Sequence, residues 1–62
     1  MSKWVVTLSD GTRFVEDTRV AARLRAVMAA SEDERVTIKP PGRKPQPYDV
    51  RGGSLHAPFK GT

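Results

Sequence analysis

Sixty-two residues hold one domain at most, and the absence of cysteine excludes both a disulfide brace and a thiolate metal site. Eleven basic residues against seven acidic ones give a net charge of +4, and aromatic residues make up only 6% of the chain, so its core must be small. No apolar run approaches the roughly 20 residues that span a bilayer. Met1-Ser2-Lys3-Trp4 lacks the charged-then-apolar layout of a signal peptide, so a cytoplasmic protein is expected.

The first predicted element is a strand at Trp4-Val5-Val6-Thr7-Leu8, rich in β-branched and aromatic residues. Ser9-Asp10-Gly11 then signals a hairpin. A two-residue Asp10-Gly11 loop would split the large apolar residues between two faces. A three-residue Ser9-Asp10-Gly11 loop, with Gly11 left-handed in a bulge, pairs Val6 with Phe14. That register gathers Trp4, Val6, Leu8 and Phe14 on one face, and register follows the buried face.

Asp17 or Thr18 can cap a helix. Val20, Leu24, Val27 and Met28 follow at i, i+4, i+7 and i+8, a single apolar stripe expected to face the core. Five alanines raise helix propensity through the same stretch. The acidic run Glu32-Asp33-Glu34 opposes the helix dipole and reads as a solvated turn. Arg35-Val36-Thr37-Ile38-Lys39 alternates as a third strand, stopped by Pro40-Pro41. The fold class expected is therefore α+β, a small ββαβ two-layer sandwich over residues 1–39.

Residues 40–62 differ in composition. They carry all five prolines and four of the five glycines. Residues 1–38 balance six positive charges against six negative ones, whereas Lys39, Arg43, Lys44, Arg51 and Lys60 face Asp49 alone. An extended basic C-terminal arm is the expectation. Tyr48 to Arg51, Gly52-Gly53 and Ser54 to His56 form an optional short terminal hairpin. A body near 40 residues without a disulfide ordinarily needs further packing or a partner. Tyr48 and Phe59 are the candidates for packing against one, and a homodimer through a sheet edge or the arm is a second solution.

Chemistry is sparse. His56 is the single histidine, and with no cysteine it cannot anchor zinc. Ser54, His56 and Asp49 fall in the Gly/Pro-rich segment, without the oriented nucleophile–base pair that catalysis requires. No glycine-rich phosphate loop occurs. Neither an enzyme, a cofactor, a metal nor a small-molecule substrate is expected.

Pro41-Gly42-Arg43-Lys44-Pro45 resembles the core of an AT-hook, in which Arg-Gly-Arg-Pro lies extended in the narrow minor groove of A·T-rich DNA. Here Pro41 replaces the first arginine, and Lys44 intrudes before Pro45. The resemblance implies nucleic-acid contact through glycine-permitted close approach and basic side chains drawn to the groove. In its small size, basicity and Arg/Ala-rich composition, the chain is also similar to accessory proteins of bacteriophages and high-GC bacteria. The function expected is a non-catalytic binding module of accessory or regulatory role. Lys39, Arg43, Lys44, Arg51 and Lys60 would contact phosphates, with Arg19 and Arg23 extending the surface. The alternatives are a protein-binding adaptor or inhibitor of phage type and a small structural subunit of an assembly.

Overall fold

The computed structural model describes residues 3–57. The chain runs β1 (Trp4–Thr7), β2 (Arg13–Glu16), α1 (Arg19–Ala29), β3 (Arg35–Lys39), β4 (Gln46–Arg51) and β5 (Ser54–His56). All five strands form one sheet of order β2-β1-β3-β4-β5, and every neighbouring pair is antiparallel. The α1 helix packs on one face, so the class is α+β. No helix among the described residues is long and apolar enough to cross a membrane.

The first hairpin has the register that the apolar face demands, with Val6 opposite Phe14. Leu8 N–H donates to the Thr12 carbonyl at 2.8 Å, and Gly11 N–H donates to the Leu8 carbonyl at 3.0 Å. Gly11 sits at φ +93°, which glycine adopts without a Cβ penalty. The Asp10 carboxylate accepts from Thr12 N–H at 2.9 Å, closing the turn from inside. Thr18 caps α1, its hydroxyl accepting from Ala21 N–H at 3.1 Å.

Two expectations need correction. The first is the extended C-terminal arm: β4 and β5 within it extend the sheet, and the optional terminal hairpin is formed. Tyr48 pairs with Val36 and Gln46 with Ile38, and β4 then turns through Gly52-Gly53 into β5. Both glycines have positive φ (+56° and +76°), as a two-residue primed turn requires. The element run is therefore ββαβββ. Pro47 is tolerated because ladder direction alternates along a strand. Val50 bonds toward the β3 side: its N–H donates to the Glu34 carbonyl (3.0 Å), and its carbonyl accepts from Asp33 N–H (2.7 Å). Pro47, three residues earlier, therefore aims its nitrogen the other way, away from β3, so it removes no bond from the β3–β4 ladder.

The second correction concerns α1. Its buried residues are Ala22 and Ala26, which join Val6, Val36, Ile38 and Val50 in the core. Of the expected core stripe, Val20, Leu24 and Met28 face outward and are 75%, 57% and 74% exposed, while Val27 is half-buried. The alanine face lets the helix backbone approach the sheet closely. Trp4, Leu8, Phe14, Tyr48 and Leu55 then pack around that contact.

The acidic run also does more than sit in solvent. The Glu34 carboxylate accepts from Ser31 N–H (2.8 Å), Ser9 N–H (3.0 Å) and the Ser9 hydroxyl (2.7 Å), tying the helix exit to the first hairpin. Glu32 accepts from Gly52 N–H at 3.1 Å. These donors hold the Glu34 carboxyl below its ordinary value of 4.5, Ser31 first and Ser9 next. Asp10, bound by Thr12, and Asp49, bound by Arg35, are depressed likewise. A depressed carboxyl contributes stability that is fully present above its unfolded value and is lost as pH falls through the lower folded value. The melting temperature should accordingly hold from pH 7 to about 5 and drop below about 4. The Glu34→Gln variant should melt lower at neutral pH and lose part of that acid dependence. A variant with the parent's full acid limb would remove Glu34 from this role.

Candidate binding surfaces

Side-chain alternation along the strands sorts the charges into two layers. The face under α1 takes Trp4, Val6, Phe14, Val36, Ile38, Tyr48, Val50 and Leu55. The opposite face carries no helix. It presents Arg13 from β2, Arg35 and Lys39 from β3, and Arg51 from β4, against Asp49. Antiparallel sheets commonly leave one face to solvent in this way. Arg43 and Lys44 stand exposed in the β3–β4 turn beside Lys39.

Of the residues singled out in the sequence, Lys39 and Arg51 lie on this open face, and Arg43 and Lys44 are exposed in the β3–β4 turn. Arg51 is engaged by Asp33 (3.2 Å) and Asp49 (4.0 Å). Arg19 and Arg23 belong to the helix layer, on the other side of the sheet. Tyr48 is half-buried beneath that layer, with the Arg23 guanidinium 5.9 Å from its ring centroid, so it packs within the domain. Lys60 and Phe59 lie outside the described residues. The AT-hook-like segment is turned rather than extended: Arg43 N–H donates to the Pro40 carbonyl at 3.2 Å, and Gly42 has φ +70°.

Sequence reasoning overlooked Arg13 and Arg35, which the expected strand alternation would have placed opposite Phe14 and Val36. Arg35 donates to Asp49 at 3.0 Å. Arg13, Lys39, Arg43 and Lys44 make no ion pair among the described residues. Asp49 and His56 are cross-strand partners, with Ser54 on the same open face. Arg35 and Arg51 claim the Asp49 carboxylate, so it is not devoted to orienting an imidazole.

The helix layer offers a different surface. Val20, Leu24 and Met28 form an outward ridge with a groove on each side. The larger groove, about 510 Å³, lies between α1 and β5 and is lined by Val20, Leu24, Val27 and Leu55, with Arg23 at its rim. The smaller one, about 230 Å³, lies toward β2, where Arg25 is bound by Glu16 at 2.9 Å. No family model matches the chain, and no curated protein or solved structure is significantly similar to it.

Proposed function

We propose that the chain is a non-catalytic module that binds the phosphate backbone of nucleic acid through its open sheet face. The observation that carries this reading is the gathering of Arg13, Arg35, Lys39 and Arg51 on the helix-free face, with Arg43 and Lys44 exposed in the turn that follows Lys39. Trp4, Phe14 and Tyr48 all lie on the other face, so among the described residues no aromatic platform accompanies the charges. That favours sequence-independent phosphate contact over base stacking on single strands. The basic surface is a fixed face rather than a flexible arm, so little ordering entropy opposes binding.

Arg13, Lys39, Arg43 and Lys44 supply four contacts. Four released counterions correspond to a slope of log K against log salt of about −3.6 on duplex DNA. Anisotropy titration of a labelled duplex across a salt series reads this slope. Lys39→Ala and Lys44→Ala should each flatten it by about 1 and weaken mixed sequences uniformly. A slope near zero, or unchanged affinity in the Lys39/Lys44 double variant, overturns the proposal.

A protein-binding adaptor is the second reading, favoured by the exposed apolar ridge of α1. It calls for a stoichiometric partner and mild salt sensitivity.

A further inference from the structure

Strand register places an unbroken polar row across the open face. Arg13 of β2 lies opposite Thr7 of β1, and Thr7 lies opposite Thr37 of β3. Their sequence neighbours Phe14, Val6 and Val36 face the helix, so alternation turns all three to the open side. Thr7 and Thr37 are half-buried, and no hydrogen bond among the described residues engages either hydroxyl. Lys39 follows Thr37 by two residues and shares its face. Neither Arg13 nor Lys39 makes an ion pair among the described residues. The carboxylates around this part of the sheet are engaged: Asp49 by Arg35 at 3.0 Å, Asp10 by Thr12 N–H at 2.9 Å, and Asp17 by Lys3.

We propose that this row is a subsite for one backbone phosphodiester. Thr7 and Thr37 donate to its two non-bridging oxygens, and Arg13 and Lys39 supply charge from either side. The subsite rests on the nucleic-acid reading above and adds uncharged ligands to it. Directly opposite residues hold their Cβ atoms about 4.5–5.5 Å apart, a spacing from which two hydroxyls converge on one phosphate. Threonine is stiff at χ1, so these donors are set before binding, whereas Arg43 and Lys44 must order long side chains to reach a phosphate. Hydroxyl contacts to phosphate fix register without neutralising charge. Their loss should therefore lower affinity and leave the salt dependence as it was.

Anisotropy titration of a labelled duplex across a salt series tests this with two double variants, Thr7→Val/Thr37→Val and Thr7→Ser/Thr37→Ser. Valine keeps the branched shape and strand preference of threonine and removes only the hydroxyl. The valine variant should bind about tenfold more weakly at every salt concentration, with the parent slope of about −3.6 retained. The serine variant keeps both donors and should stay within about threefold of the parent. In heteronuclear NMR spectra, the Thr7 and Thr37 signals should shift with those of Arg13 and Lys39 as duplex is added. A valine variant with parental affinity, against a parent slope that stays steep, overturns the subsite and leaves the basic face in place. A flattened slope in the valine variant also overturns it, because displaced cations would then account for the loss. A parent slope near zero removes the nucleic-acid reading itself, and the subsite with it.

Discussion

Replacing Ile38 by alanine should lower the unfolding free energy by about 2–5 kcal/mol. Ile38 lies in the central strand, opposite Val6 on one side and Gln46 on the other, and is buried beneath α1. A 62-residue chain has a total stability of about 3–9 kcal/mol. The substitution therefore removes much of the margin, because the fully buried set among the described residues contains no aromatic residue to carry the remainder. Urea denaturation followed by circular dichroism measures it: the midpoint should fall with the slope unchanged, as when stability alone changes. Ile38→Val should cost only about 0.5–1.5 kcal/mol. An alanine variant within about 0.5 kcal/mol of the parent would mean that β3 does not carry the core.

Ala26→Leu should destabilise the domain by about 1–3 kcal/mol, whereas Leu24→Gln should stay within about 0.5 kcal/mol of the parent. The two sites are two residues apart in α1, and alanine, leucine and glutamine are all good helix formers, so propensity barely separates the variants. Position does. The fully buried Ala26 sets how closely the helix approaches the sheet, and a leucine there must push the two layers apart. Leu24 stands on the outward ridge and is 57% exposed. Had the Val20–Leu24–Met28 stripe faced the sheet, the order would reverse, so the same pair of melts tests the helix orientation directly.

That orientation explains why part of the fold was legible and part was not. The first hairpin could be read residue by residue, because only one loop length unites Trp4, Val6, Leu8 and Phe14. The cap and length of α1 followed from Thr18 and the alanine run. Its buried side did not, because α1 is apolar on two faces, alanine on one and Val/Leu/Met on the other. Hydrophobic periodicity favours the face with larger side chains. Packing chose the smaller ones, since closer approach lets the flanking rings fill the space between layers.

The candidate surface divides along the same line. Lys39, Arg43, Lys44 and Arg51 were identified from local charge excess, which needs no fold. Arg13 and Arg35 were overlooked because charge balance over residues 1–38 hid them among Asp10, Glu32, Asp33 and Glu34. The tertiary structure separates these sets: the arginines go to the open sheet face, and the acidic residues go to the loops, where Glu32 and Glu34 bind main-chain donors.

The sequence by itself determined the fold class of the protein, its first hairpin register and the position of its helix. Each of those depends on neighbours within a few residues, through turn chemistry, capping or simple composition. Only the tertiary structure decided that the proline-rich segment joins the sheet, which face of the helix is buried and which cations share a surface. Those outcomes depend on contacts between distant residues. Pro47 becomes compatible with a strand only when its nitrogen faces away from β3, and Ala26 becomes core only when the sheet rises to meet it.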